Sequence, residues 1–236
     1  MENIQIAFLI VALLAMAGLF LASRQDKWVV SFMLVWATLI AGLSWAGFFE
    51  NTESQPPRFV FVLLPASVLT YLAYRRLQGQ NLRVSLLIAI HILRVPVELI
   101  LYQLFLQGQV PELMTFLGWN FDILSGISAV VILGLYVINK LNKWVFLSWN
   151  WLGLGLLAII VVVAVLSSPT PLQQFAFEQP NVAVLKLPFI WLPAVLVPIV
   201  LLSHLLLIRH LNHGGRAIRV NHNKKSGSTE SATIIN

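Results

Sequence analysis

The segment VSLLIAIHILRVPVELILYQLFL, residues 84–106, decides the fold of this chain. As a helix it is long enough to cross the hydrocarbon core of a bilayer, which needs about 20 predominantly apolar residues. Its apolar run nevertheless contains four polar side chains, those of His91, Arg94, Glu98 and Tyr102. The segment therefore predicts a transmembrane helix that carries a polar site.

These four side chains share one face of the predicted helix. At about 100° per residue they fall within about 80° of its circumference. Arg94 and Glu98 stand four residues apart, so we expect them to pair along the helix. An unpaired charge near the bilayer centre costs roughly 2.5 to 3.5 kcal/mol on insertion scales. The polar face is therefore expected to point into the protein.

Six further apolar segments flank this one, and seven spans are favoured over six. The third and fifth spans are the short ones. The sequence thus predicts an all-α, polytopic integral membrane protein with seven transmembrane helices. The six further segments are residues 4–22, 29–48, 59–74, 123–139, 144–166 and 187–208.

The composition supports a membrane protein and narrows its chemistry. Apolar residues make up 58% and charged residues 10% of the chain, whereas soluble domains average about 25% charged residues. The mean hydropathy is +0.84. With no cysteine, disulfides, thiolate catalysis, iron–sulfur clusters and cysteine zinc sites are excluded. No metal site and no cofactor are expected.

The distribution of lysine and arginine predicts the orientation of the chain. With the N-terminus outside and the C-terminus inside, twelve of the 15 basic residues fall in inner segments and only Arg58 and Lys186 in outer ones. The remaining one, Arg94, lies within a span. The net charge of +6 is then a product of topology that favours anionic lipid headgroups. Membrane lipids are expected partners and nucleic acid is not; the oligomeric state is not readable.

The last part of the chain differs from the rest. Residues 1–213 form the predicted seven-helix transmembrane domain. Residues 214–236 contain glycine, serine and asparagine without apolar periodicity, which predicts a disordered cytoplasmic tail.

Two more polar residues follow the fourth span. Asn120 and Asp122 open the fifth span, beyond the outer end of the fourth. Because Glu98 lies in the outer half of its span, a vestibule that opens outward would connect it with Asp122. The predicted ligand-binding set is His91, Arg94, Glu98, Tyr102, Asn120 and Asp122.

A histidine in the seventh span raises a further question. His204 and His91 lie at comparable depths from the inner surface, so the two imidazoles together are a conceivable pair of axial haem ligands. A histidine near a helix end is more often a hydrogen-bonding residue at the interface. Whether these two histidines share a ligand stays open at this point.

The block HILRVPVELILYQLFLQGQVPELMTFLGWNFDILSGISA, residues 91–129, resembles a block in a family of uncharacterised, multi-pass bacterial inner-membrane proteins. The elements that carry the resemblance are residues 94–98, 114–116 and 120–122. The resemblance implies a location in the bacterial inner membrane and no particular reaction.

Three functions are compatible with these features. The first is binding or transport of a small polar or amphipathic ligand, or of protons, with Arg94 as the anchor for an anion or headgroup and Glu98 as its titrating partner. The second is a structural or assembly component whose buried ion pair only fixes helix packing. The third is an intramembrane lipid-modifying enzyme with Glu98 or Asp122 as general base. Enzymatic activity is thus left open.

Overall fold

A computed structural model describes the backbone of residues 1–226 and the side chains of residues 1–212. Within this part the chain is helical and contains no strand. We number seven helices in chain order. They are α1 Glu2–Ala22, α2 Lys27–Trp45, α3 Val60–Leu77, α4 Val84–Leu106, α5 Asp122–Val137, α6 Lys143–Leu166 and α7 Val197–Ser226, the last preceded by a π turn at Leu192–Leu196.

Six of the seven helices are long and apolar enough to cross a membrane. The exception is α5, which has 16 residues and spans about 24 Å at 1.5 Å per residue. Seven predicted spans thus become six candidate spans and one shorter apolar helix. The helix α3, also predicted to be short, reaches 18 residues because it continues to Leu77.

The helices α4 and α7 lie at the centre of the bundle. Half of the apolar window of α4 and slightly more than half of that of α7 are buried, against a third or less in the other four candidate spans. The helix α4 contacts α1, α5 and α7, and α7 also contacts α3 and α6. The polar residues of α4 are therefore placed against other helices, as the argument from their cost in lipid requires.

A short 3-10 turn divides α4 into two α-helical parts. The turn covers His91–Leu93, and the second part begins at Arg94. Pro96 explains its position, since a proline has no N–H to donate to the carbonyl four residues earlier, here that of Ile92. The turn therefore lies where the polar residues are concentrated.

The C-terminal ends of α4 and α6 are covered by the connection before α7, in which the N–H groups of Gln174 and Phe175 donate to the carbonyl of Leu166. The amide of Gln179 donates to the carbonyls of Phe105 at 2.9 Å and Val110 at 2.6 Å, and a 3-10 turn at Ala183–Leu185 is buried. This loop closes the end of the bundle at which the second part of α4 terminates.

The predicted tail, residues 214–236, lies entirely outside the described side chains. The helix α7 continues to Ser226, beyond the predicted start of the tail at Gly214. Residues 227–236 lie outside the described residues. The prediction of disorder for residues 214–236 stays a prediction.

Candidate functional site

An ion pair between α4 and α5 forms the core of the candidate site. Arg94 is 4% exposed, and its Nε donates to Oδ2 of Asp122 at 3.1 Å. Its Nη2 donates to the other carboxylate oxygen of Asp122, so the pair is bidentate. Asp122 lies in the first turn of α5, where the helix dipole favours a negative charge. The predicted pairing of Arg94 with Glu98 is therefore wrong, because the carboxylate on the neighbouring helix offers both oxygens to the guanidinium.

The remaining donors of Arg94 join two more helices to this pair. Its Nη1 donates to Ser125 Oγ at 2.9 Å and lies 3.3 Å from His204 Nε2 on α7. Its Nη2 also lies 3.5 Å from the carbonyl oxygen of Gly153 on α6. Arg94 therefore binds to groups on α5, α6 and α7 from its place on α4, and its donors are already used by the protein.

The contacts of His204 indicate its tautomer. Its Nε2 faces the guanidinium of Arg94, which can only donate, so Nε2 accepts. Its Nδ1 lies 2.9 Å from Asn150 Oδ1 and therefore carries the hydrogen. The amide nitrogen of Asn150 donates in turn to the carbonyl of Phe146 at 2.9 Å. A neutral His204 thus extends the network from Arg94 into α6.

Two glycines give the network its space. A Cβ on Gly153 would lie 2.5 Å from Cε1 of His204, and a Cβ on Gly126 would lie 2.9 Å from the backbone nitrogen of Val95. Both distances are too short for a side chain. The close approach of α6 to His204 and of α5 to α4 therefore depends on glycine at these positions.

Glu98 lies beside the ion pair and has a different environment. Its Oε1 accepts a hydrogen bond of 2.6 Å from Asn120 Nδ2, which also donates to the carbonyl of Met114. The Oδ1 of Asn120 accepts a hydrogen bond of 3.1 Å from the backbone N–H of Asp122. Glu98 is 2% exposed, and its Oε2 has no hydrogen-bond partner among the described residues. One oxygen of this buried carboxyl group is thus left for another donor.

A cavity of about 60 Å³ lies against Glu98 and Asp122, where α3, α4, α6 and α7 meet. The other lining residues are apolar. Leu63, Val161 and Pro193 in its wall are half-buried, so this wall lies at the lateral surface of the bundle. The vestibule was expected to open outward. Buried Met114 and Val184 line the cavity, and they belong to the loops that cover the C-terminal end of α4, so the cavity is closed on that side.

His91 is fully buried among rings. Its centroid lies 4.0 Å from that of His204 and 5.2 Å from that of Trp149. Neither of its nitrogens has a hydrogen-bond partner in the described part of the chain. The two imidazoles are in direct contact, which leaves no space for a porphyrin between them, so the geometry does not fit the haem hypothesis.

Five of the six predicted site residues lie together, and one does not. Tyr102 stands one helical turn beyond Glu98, and its ring packs on Phe116 with centroids 5.0 Å apart. The cluster also contains residues that the sequence did not assign to a site, which are Ser125, Asn150, Gly153 and His204. Of these, the sequence suggested a role for His204 alone, as an interfacial hydrogen-bonding residue or as a conceivable haem ligand with His91. Among the described side chains, no group of three or more His, Asp or Glu residues is placed to hold a metal ion.

Comparison with known proteins identifies a family for this chain. No curated protein and no solved structure matches the chain. The model of one family, described as a domain of unknown function (DUF8737), matches residues 58–212, which is more than half of the chain and includes every residue of the candidate site. The chain therefore belongs to the DUF8737 family.

Proposed function

We propose that this protein is a multi-pass protein of the bacterial inner membrane with seven spans, its N-terminus outside and its C-terminus inside. Six helices of sufficient length and hydropathy support insertion. The short helix α5 is the remaining span, and tilting or local thinning of the bilayer accommodates it. The distribution of lysine and arginine supports the orientation.

Reporter fusions test this topology. Fusions after Lys27, Gln80 and Asn142 are expected to report a cytoplasmic location, and fusions after Ser54 and Gln173 an external one. The reason is the twelve-to-two distribution of basic residues. Alkaline phosphatase and a fluorescent protein fused at each position give opposite signals and serve as mutual controls. An external reading after Asn142 together with a cytoplasmic one after Gln173 would mean that α5 does not cross, and would reduce the model to six spans.

Within this frame, the site supports binding of a small amphipathic ligand that presents a hydrogen-bond donor. The observation that carries this proposal is the buried Oε2 of Glu98, which has no donor from the described residues and lies at an otherwise apolar cavity. An unpaired buried polar atom costs about 1 to 3 kcal/mol. A ligand with an amine or hydroxyl head removes this cost: the cavity of about 60 Å³ holds the head, and the apolar part extends past the half-buried wall of Leu63, Val161 and Pro193.

The role proposed for Arg94 changes accordingly. Arg94 was expected to anchor an anion or a headgroup, but its donors are taken by Asp122, Ser125, Gly153 and His204. It serves instead to hold Asp122 and to orient the helices around the cavity. The ligand therefore contacts Glu98 rather than Arg94.

Proton binding is the second candidate function, and His91 favours it. Both nitrogens of this buried imidazole lack a partner in the described part of the chain, and its ring contacts His204, which contacts Arg94. A cavity of about 60 Å³ also has room for a few water molecules, since each needs roughly 10 to 15 Å³. The lipid-modifying alternative is less well supported, because both oxygens of Asp122 are bound by Arg94.

A ligand-dependent stability measurement tests the main proposal. Dodecylamine, which combines N–H donors with an apolar chain, is expected to raise the unfolding temperature of the detergent-solubilised protein. Binding to the native state alone adds about 2.7 kcal/mol at a hundredfold excess over Kd. Dodecanoate has the same chain length and the opposite charge, and is expected to have no such effect.

Glu98→Gln is the matched variant for this experiment. The glutamine oxygen preserves the bond from Asn120, so the fold is retained, while the second position becomes an amide that donates rather than accepts. The stabilisation by dodecylamine is expected to disappear. An equal shift in the variant and the unmodified protein would show that the amine acts elsewhere and would refute the ligand proposal.

A further inference from the structure

A second and larger cavity lies away from the candidate site. It has a volume of about 350 Å³ and is lined by side chains of α1, α2 and α3, of the π turn and of α7. From Ala66 to Arg76 it follows α3 for about 15 Å at 1.5 Å per residue. This length is about half of the 30 Å hydrocarbon core of a bilayer. The groove is therefore one leaflet deep.

The walls of this groove are apolar, and its charge is at one end. Arg76 is the one charged side chain among the lining residues. The hydroxyl of Thr70, also in the wall, is used within α3, where it donates to the carbonyl of Ala66 at 2.7 Å. Trp28 lies at the same end as Arg76 and is 60% exposed, as is typical of tryptophan at the level of the headgroups. The groove thus combines an apolar channel with a polar mouth.

Arg76 is oriented with donors to spare. Its Nε donates to both carboxylate oxygens of Asp26 at 3.0 Å, and its guanidinium lies 5.8 Å from the ring centroid of Trp28. Burial raises the pKa of Asp26, but hydrogen bonds from Gln80, Arg76 and the N–H of Val29 outweigh it and hold the pKa below its ordinary value. The carboxylate is thus charged at neutral pH. The terminal nitrogens Nη1 and Nη2 of Arg76 have no hydrogen bond to any described residue and remain for a ligand.

The surroundings of the mouth are basic. Residues 23–27 and 75–83 carry five basic side chains and one acidic one, Asp26. A cluster of this kind at a membrane surface attracts anionic lipids by about 1 kcal/mol for each basic residue. An anionic lipid matches both the apolar walls and the basic mouth. A second copy of the chain would fit the groove only if it presented an acidic patch beside a long apolar ridge.

We propose that the groove between α2, α3 and α7 binds an anionic phospholipid, with one acyl chain along the groove and the phosphate at Nη1 and Nη2 of Arg76. Asp26 is a positioning residue that holds the guanidinium through Nε. The lipid comes from the leaflet that contains the α1–α2 and α3–α4 connections, which is the inner leaflet in the proposed orientation. The site is independent of the cavity at Glu98.

Lipid titration of the full chain in a maltoside detergent tests this proposal. Dioleoyl phosphatidylglycerol is expected to raise the unfolding temperature and to be retained in native mass spectrometry, and dioleoyl phosphatidylcholine is not. Arg76→Gln is expected to weaken retention of phosphatidylglycerol by more than about tenfold, because it removes the charge-assisted hydrogen bonds to the phosphate as well as one positive charge. Arg75→Gln is the matched control: Arg75 is adjacent and exposed but contacts Tyr71 and does not line the groove, so losing its charge alone is expected to weaken retention by no more than about fivefold.

A second variant tests the apolar part of the site independently. Ala73 lines the groove and is half-exposed, so Ala73→Phe fills space without removing a charge. It is expected to abolish retention of phosphatidylglycerol even if Arg76→Gln fails to fold. Equal retention of both lipids, or retention that neither variant reduces, would overturn the proposal. A dimer that Ala73→Phe dissociates would overturn it in favour of a second copy in the groove.

Discussion

Arg94→Met alone is expected to lower the free energy of unfolding by about 3 to 5 kcal/mol. The substitution leaves the buried carboxylate of Asp122 without its bidentate partner, and breaking a buried ion pair from one side has this cost. It also removes the hydrogen bonds that Ser125 and His204 accept from Arg94. Thermal unfolding in detergent, followed by tryptophan fluorescence, measures the loss.

Two double variants identify the partner of Arg94. Arg94→Met with Asp122→Leu removes both charges and is expected to recover most of the stability, since well-packed apolar replacements of a buried pair are often neutral. Arg94→Met with Glu98→Met leaves Asp122 unpaired and is expected to stay destabilised. If the Arg94→Met, Glu98→Met variant were the more stable of the two, Arg94 would pair along its own helix, as the four-residue spacing alone predicts.

Gly153→Ala is expected to destabilise the protein by about 1 to 3 kcal/mol, the usual range for overpacking. The added methyl group would lie 2.5 Å from Cε1 of His204, so the imidazole must move away from Arg94 or α6 must move away from α7. Unfolding curves of the purified variant give the size of the effect.

Gly155→Ala is the control for this prediction. Gly155 lies on the same helix, and a Cβ there meets nothing within 4 Å. Because alanine is a better helix former than glycine by up to about 1 kcal/mol, this variant is expected to be neutral or more stable. Equal losses at both positions would indicate that α6 requires glycine for a reason other than contact with His204.

Hydropathy alone predicts most of this fold, because each candidate span is one uninterrupted apolar segment of the sequence. The range of α4 is predicted to the residue, and the polar groups within it had to face other helices. The short helix α5 is the exception. It has 16 residues, just below the range of about 17 to 25 for a spanning helix, whereas its apolar segment in the sequence, residues 123–139, is 17 residues long.

The pairing within the site is less predictable, because it depends on which helices meet. Four-residue spacing describes neighbours on one helix, and it suggested Glu98 as the partner of Arg94. The actual partner, Asp122, is 28 residues away and lies at the start of the next helix. His204 and Asn150 each stand alone on their helices, so no local pattern connects them to Arg94.

Glu98 is proposed to be a binding carboxyl group at an apolar cavity and not a closed structural contact. Dicyclohexylcarbodiimide, an apolar reagent that modifies carboxyl groups in apolar surroundings, tests this directly when the modified residue is located by peptide mass spectrometry. We expect labelling at Glu98, none at Asp122, both of whose oxygens are bound by Arg94, and slower labelling of Glu98 in the presence of dodecanol, which offers a hydroxyl donor on an apolar chain and does not react as an amine with the reagent. An unlabelled Glu98 in the folded protein, or labelling that dodecanol does not slow, would contradict the proposal.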